Sequence, residues 1–402
     1  MRYRFARPRR IVLLGLVALL AATGGPLGAA DEIRVGVVLP LTGSQSSFGE
    51  LERQAFELAL EEVNGAGGIA GRPLELLFAD DEGDPGRGVA AAEELLDRRD
   101  VVMLAGGYSS AVTEALAELA QRRRVPFLVA TGAADGITEQ GRDFVFRLNP
   151  PASEYSASAV DFLVQVVRPR TVAIIYEDTA FGRSQSSSFK AACLAAGITP
   201  IVEESYHEAD FKLWRVTDIL LKVKRRKPDV VYMISYLLDA NLIMTQARAL
   251  SWQPRLFMGG AAGFTLPAFY ELTGADAEQV MTVTLWHPSL PYPGAAEFFD
   301  EFQRRFGRES DYHGAEAYSA GLVIADALAR ATSFAPEALR EALAATDLST
   351  PFGPVKFVSE GGKTNQNRLP TYVGQWLDGR LELVWPLATA GAEYVLPAPP
   401  QR

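Results

Sequence analysis

Apolar and polar positions along this chain alternate between short β-rich runs and longer stretches with apolar residues three and four apart. Ile33–Leu39 is such a run, and Gly49–Asn64 after it sets Leu51, Ala55, Leu58, Ala59 and Val63 at helical spacing. Asn64-Gly65-Ala66-Gly67-Gly68 stops that helix. Strands at Leu74–Phe78, Val101–Ala105 and Phe127–Ala130 then alternate with helices at Gly88–Arg98 and Ala111–Arg123. Units spaced about 35 residues apart suit right-handed βαβ crossovers and a parallel sheet.

The rhythm restarts past Pro150-Pro151. Helices are expected over Ser153–Val167, Ser184–Ala196, Trp214–Val223 and Asn241–Ala249. Strands are expected at Thr171–Tyr176, Thr199–Glu203, Val230–Ser235, Leu256–Met258 and Val280–Thr284. Two successive α/β units of similar size predict two lobes. A third helical block, Ala295–Phe306 and Ala315–Arg330, follows, and periodicity leaves open which lobe it covers.

The first thirty residues add a location. Met1–Arg10 carries five arginines, Ile11–Ala22 is apolar apart from one glycine, and Leu27-Gly28-Ala29-Ala30 precedes Asp31. A basic start, a short apolar run and small residues before a charge describe a secretory signal peptide over residues 1–30. The run falls short of the roughly 20 residues a membrane span needs. No cysteine lies near the cleavage site, so the expectation is a chain that starts near Asp31 and is exported as a soluble protein without a lipid anchor, and the periplasm as its location comes only with the resemblance below.

Export sharpens the charge argument. The whole chain has a net charge of −10, and loss of the five leader arginines takes it to about −15. Such a surface disfavours nucleic acid and anionic lipid as partners. The lone Cys193 sits among alanines in a helix and reads as packed, leaving no internal disulfide. The tail, residues 391–402, ends in Pro397-Ala398-Pro399-Pro400-Gln401-Arg402 and is expected to fray.

Candidate chemistry lies in loops after strands, because open α/β sheets bind ligands at the carboxyl ends of their strands. In Gly106-Gly107-Tyr108-Ser109-Ser110, glycines admit close backbone approach and serines precede a helix whose amides suit an anion. A plain N-cap serine gives the same sequence. Thr131-Gly132-Ala133 offers further amides and a hydroxyl, or only a turn. Phe48, Tyr108, Phe181 and Tyr236 all fall in such loops and supply an apolar platform. Core packing remains the alternative for each of them.

Asp80-Asp81-Glu82-Gly83-Asp84 lacks the spacing of a calcium loop and reads as a turn. His207, His287 and His313 form no metal motif, and neither a G-x-S-x-G elbow nor a Walker loop occurs. No enzyme, cofactor or metal is therefore expected.

One further set of residues is more specific. Ile33-Arg34-Val35-Gly36-Val37-Val38-Leu39-Pro40-Leu41-Thr42-Gly43, then Phe48-Gly49, then Asn64 to Gly67-Gly68-Ile69-Ala70-Gly71, resembles the branched-chain amino-acid-binding proteins. These are type I periplasmic solute-binding proteins of ABC transporters. Gly106–Ser110, Val125-Pro126-Phe127, Ile137-Thr138, Tyr176–Gly182, Asp229–Tyr232, Gln246-Ala247-Arg248 and Phe257-Met258-Gly259 extend the resemblance along nearly the whole mature chain.

The resemblance implies two Rossmann-like lobes joined by three crossing segments. Residues 31–150 with 283–350 would form one lobe and 151–282 with 351–390 the other, the last crossing falling near Pro351. It implies a cleft that closes on a small molecule, a monomer, and an ABC transporter permease as partner; a sensory receptor component is the alternative. By resemblance Ser110, beside Ser109, holds a ligand carboxylate, and Thr131, Gly132 and Ala133 take the other oxygen or an amine. Phe48, Phe181 and Tyr236 match aromatic positions that line the pocket.

Two positions depart from the family pattern. The glutamate that pairs the ligand ammonium is replaced by Ala261, and a loop threonine by Ala133. An unpaired buried ammonium costs roughly 2–5 kcal/mol. Either another acid substitutes, with Asp239, Glu177 and Asp178 as candidates, or the ligand is a carboxylate or amide without an amine, aromatic compounds included.

Overall fold

The computed structural model describes residues 32–396, so the expected signal peptide and residues 397–402 lie outside them. In the first lobe β1 (Ile33–Leu39), β2 (Leu74–Asp80), β3 (Met103–Gly106), β4 (Phe127–Val129) and β5 (Val145–Arg147) pair in parallel, in the order β5-β4-β3-β1-β2. The second lobe repeats the arrangement with β6 (Thr171–Glu177), β7 (Thr199–Tyr206), β8 (Val230–Ile234), β9 (Leu256–Gly259) and β10 (Met281–Thr284), ordered β10-β9-β8-β6-β7. Helices cover both faces of each sheet. That is why the strands read as continuous apolar runs: Val35, Val37 and Leu39 enter one core, and Val38 enters another with Leu104 and Val129.

After β10 the chain returns to the first lobe. Helix Tyr312–Arg330 packs along helix Ser46–Gly65, and a Cβ at Gly321 would stand 2.6 Å from the Cβ of Ala59. That contact requires glycine. A separate ribbon, β11 (Asp347–Thr350) with β12 (Gly353–Lys356), follows. Next β13 (Val358–Glu360) and β14 (Lys363–Gln366) extend the first sheet, where Gln366 pairs with Arg147 of β5. Finally β15 (Tyr372–Leu377) and β16 (Arg380–Trp385) extend the second sheet beyond β10.

Sheet membership corrects two boundaries. The last crossing lies between Gln366 and Tyr372 rather than near Pro351; Lys363-Thr364-Asn365-Gln366 is too polar to announce a strand. β10 belongs to the second sheet, so the middle crossing follows Thr284 instead of preceding residue 283. The tail is also packed as far as 396. Gly391 donates to the Leu383 carbonyl at 2.9 Å, the Gln375 amide pairs both ways with the Val395 backbone at 2.7 and 2.8 Å, and Tyr394 meets Phe162 edge-on.

Candidate functional site

β3 ends in Gly106 at φ 97°, where a Cβ would sit 2.5 Å from the Val38 carbonyl oxygen. The turn it permits delivers Tyr108, Ser109 and Ser110 to the carboxyl edge of the sheet, where helix Ser110–Arg123 begins. Ser109 occupies the N-cap position and makes no side-chain cap bond, so capping does not account for these serines. Ser110 Oγ instead accepts the N–H groups of Ala133 at 3.3 Å and Ala134 at 3.0 Å, from the loop after β4. A hydroxyl that accepts twice still has its own proton to donate.

That loop is fixed from below by Arg147, which is fully buried. Its Nη1 donates to the carbonyls of Ala133 (2.9 Å) and Ala134 (2.7 Å), its Nη2 to Thr138 Oγ1 (3.0 Å), and its Nε to Gln366 Oε1 (2.7 Å). Burial pulls the guanidinium down to about 10, still protonated at neutral pH. The Thr131 hydroxyl is already committed, donating to Glu52 Oε1 at 2.7 Å. Burial pushes the Glu52 carboxyl well above its usual range, against that hydrogen bond.

A cavity lies between the lobes. Tyr108, Ser110, Thr131 and Ala133 wall it from the first lobe, together with Tyr312 and His313 at the start of the returning helix. Tyr155, Phe181, Tyr236 and Ala262 face them from the elements packed on the second sheet. The unfilled space is about 250 Å³. Rings contact one another around it. Phe48 stacks on Tyr108 with centroids 4.5 Å apart, and Tyr236 stands 5.9 Å from Tyr108 and 6.0 Å from Phe181. Polar contacts also join the lobes: Thr265 donates to Asp311 Oδ2 at 2.7 Å, Ala262 N–H to Tyr312 Oη at 3.2 Å, and Ser184 to Asp135.

The expected site residues separate into two groups. Tyr108, Ser110, Thr131, Ala133, Phe181 and Tyr236 share the cavity wall. Phe48 backs Tyr108, and Ser109 and Gly132 lie beside wall residues. Ala261 is fully buried, with φ 68° and ψ −145°, and its neighbour Ala262 forms the wall instead. That backbone region is close to glycine-only and costs on the order of 1–3 kcal/mol.

Asp239 is buried but does not reach the wall. Burial, reinforced by the Glu208 charge, raises it to about 7. Burial and then the Asp239 charge raise Glu177 to about 8. One oxygen of each carboxyl has no hydrogen-bond partner. No carboxylate is among the wall residues.

Sequence reasoning passed over Tyr155, Tyr312, His313, Glu52 and Arg147. Signals existed for two of them. Arg147 is the single charge in Phe144-Val145-Phe146-Arg147-Leu148, and Glu52 stands one helical turn after Phe48. The returning helix is capped by Asp311, whose carboxylate accepts the His313 N–H, and it begins at Tyr312, three residues ahead of the helix expected at Ala315.

Fold and cavity together define a two-lobed binding protein for small solutes. The chain belongs to the periplasmic binding protein family, whose pattern matches residues 32–380. Leu/Ile/Val-binding protein homolog 7 of Brucella melitensis is 26% identical over 403 residues, covering 97% of this chain and 99% of that one. Among solved structures, the branched-chain amino acid transporter substrate binding protein LivJ of Streptococcus pneumoniae, in complex with isoleucine, superposes with a TM-score of 0.80 at 20% identity. That match covers 89% of this chain and 100% of LivJ.

A solute binding protein of an ABC transporter from Rhodopseudomonas palustris BisB5, in complex with 3,4-dihydroxy benzoic acid, gives a TM-score of 0.78 at 21% identity, over 87% and 95% of the two chains. The family and these neighbours are substrate-binding proteins, not enzymes. Among the described residues no helix is long and apolar enough to cross a membrane.

Proposed function

We propose that this protein captures an aromatic monocarboxylate between its lobes outside the cytoplasm and delivers it to the permease of an ABC transporter. The observation that carries the reading is the wall itself: tyrosine and phenylalanine rings around one serine hydroxyl at a helix start, with no carboxylate. The Ser110 hydroxyl donates to the ligand carboxylate, and the first-turn amides of the same helix favour the negative charge. The rings of Tyr108, Phe181 and Tyr236 sandwich the apolar body. An α-amino acid in this wall leaves its ammonium without an anionic partner, a cost of roughly 2–5 kcal/mol.

Admission of a ring requires the lobes to part, because the Tyr236 ring stands 5.9 Å from the Tyr108 ring across the cavity. A ligand that touches both lobes then favours their closure, and the closed form is the one presented to the permease. The aromatic acid bound by the Rhodopseudomonas neighbour supports this class; the isoleucine bound by LivJ supports the amino-acid alternative.

Calorimetric titration of refolded protein with benzoate, 4-hydroxybenzoate, leucine and phenylalanine separates them. Binding of the benzoates and not of the amino acids is the expected result. Tight leucine binding with no response to either benzoate would sink the reading.

A further inference from the structure

The wall contains a second polar group beside Ser110. Tyr108 is 6% exposed, lines the cavity, and its hydroxyl has no hydrogen-bond partner. His313 lines the same cavity, with its ring 5.6 Å from that of Tyr108. On its other side His313 Nδ1 lies 2.8 Å from Asp311 Oδ2. Asp311 also accepts the His313 backbone N–H at 3.0 Å and the Thr265 hydroxyl at 2.7 Å. Nδ1 is thereby engaged with Asp311, and Nε2 is the remaining polar atom of the ring. The phenols of Tyr108 and Tyr312 face the ring as well, and burial keeps both protonated.

We propose that Tyr108 and the Asp311-oriented His313 form a subsite for a ring hydroxyl, so that the preferred ligand is a hydroxy-substituted aromatic carboxylate. This inference rests on the aromatic-carboxylate reading above. A phenolic O–H both donates and accepts, so a single group meets the unpartnered Tyr108 hydroxyl and the free ring nitrogen of His313. A methyl substituent satisfies neither. Sites built to hydrogen-bond a hydroxyl discriminate strongly against analogues that lack it.

The test is isothermal titration of refolded protein with benzoate, 4-methylbenzoate, 3-hydroxybenzoate and 4-hydroxybenzoate. One of the hydroxybenzoates should bind at least about tenfold tighter than benzoate, and 4-methylbenzoate no tighter than benzoate. In Tyr108→Phe and in His313→Phe that preference should fall to within about threefold, whatever happens to absolute affinity. Thermal melts establish that each variant is folded. Equal affinity for all four acids in the native protein overturns the subsite and leaves the aromatic-carboxylate reading standing. Loss of binding to all four overturns that reading. A preference that survives both substitutions shows that the hydroxyl is recognised elsewhere and overturns the assignment to these residues.

Discussion

Glu177→Gln isolates the cost of burying an acid beside the binding wall. The carboxyl ends β6, is 5% exposed, and leaves Oε2 without a partner. Its pKa rises from 4.5 to about 8, first through burial and then through the charges of Asp239 and Glu208. Between those values the unfolded chain has released the proton and the folded chain keeps it. Fewer protons bound in the unfolded state mean stability that falls as pH rises. The contribution is complete below about pH 4.5 and is lost through about pH 8. At about 1.4 kcal/mol per unit the ceiling is about 5 kcal/mol, and partial hydration of the ionised group lowers the expected value to about 2–4 kcal/mol.

Glutamine is nearly isosteric with the protonated acid and does not titrate. Urea unfolding at pH 5, 7 and 9 should show the two proteins matched at pH 5 and the variant more stable at pH 9 by that amount. Glu52, Glu316 and Asp81 are also buried acids with raised pKa values, so the native protein loses stability with pH through them too. The difference between native protein and variant removes their share. Curves that run parallel within about 0.5 kcal/mol from pH 5 to 9 would refute the reasoning, as would a Glu177 carboxyl titrating near 4.5 by NMR.

Other substitutions address the wall and its supports. Ser110→Ala removes the acceptor of the Ala133 and Ala134 amides and the donor to the ligand; it should lower stability by about 1–2 kcal/mol and benzoate affinity by about 10- to 100-fold, read by thermal melts and calorimetry. Arg147→Lys keeps a charge but cannot reach Ala133, Ala134, Thr138 and Gln366 together; urea unfolding should report a loss of about 2–4 kcal/mol. Gln375→Leu strands the Val395 N–H and carbonyl; hydrogen exchange at Val395 should quicken, and stability should fall by about 1 kcal/mol.

The sequence made the two-lobe architecture legible because parallel strands covered on both faces must be apolar along their length, and helices must stripe. Where that rule lapses, the reading lapsed too. β13 and β14 are short, polar strands at the end of the sheet, and β14 is held to β5 by a side-chain network around Gln366 and Arg147 rather than by an apolar face. Six of the ten cavity-wall residues were legible, because loops after strands face the cleft whatever their residues. Tyr155, Tyr312 and His313 were not, since each sits near a helix start and turns inward only through tertiary packing. Asp239 lies off the wall for the converse reason. It follows β8 in the right loop, yet lies in the first turn of helix Leu237–Ala249, away from the wall.

Ala261 sits in a loop whose backbone is satisfied from two sides. Its N–H donates to Thr282 Oγ1 at 3.2 Å, and the next N–H, of Ala262, donates to Tyr312 Oη at 3.2 Å. Protein groups from β10 and from the returning helix thus satisfy the backbone of this loop, and Tyr312 joins the two lobes in doing so. The same helix start brings His313 to the wall and Asp311 to Thr265. Beside the Ser110 hydroxyl the wall therefore carries a histidine held from behind by Asp311 and no carboxylate, which is the arrangement the proposed hydroxy-aromatic acid would meet.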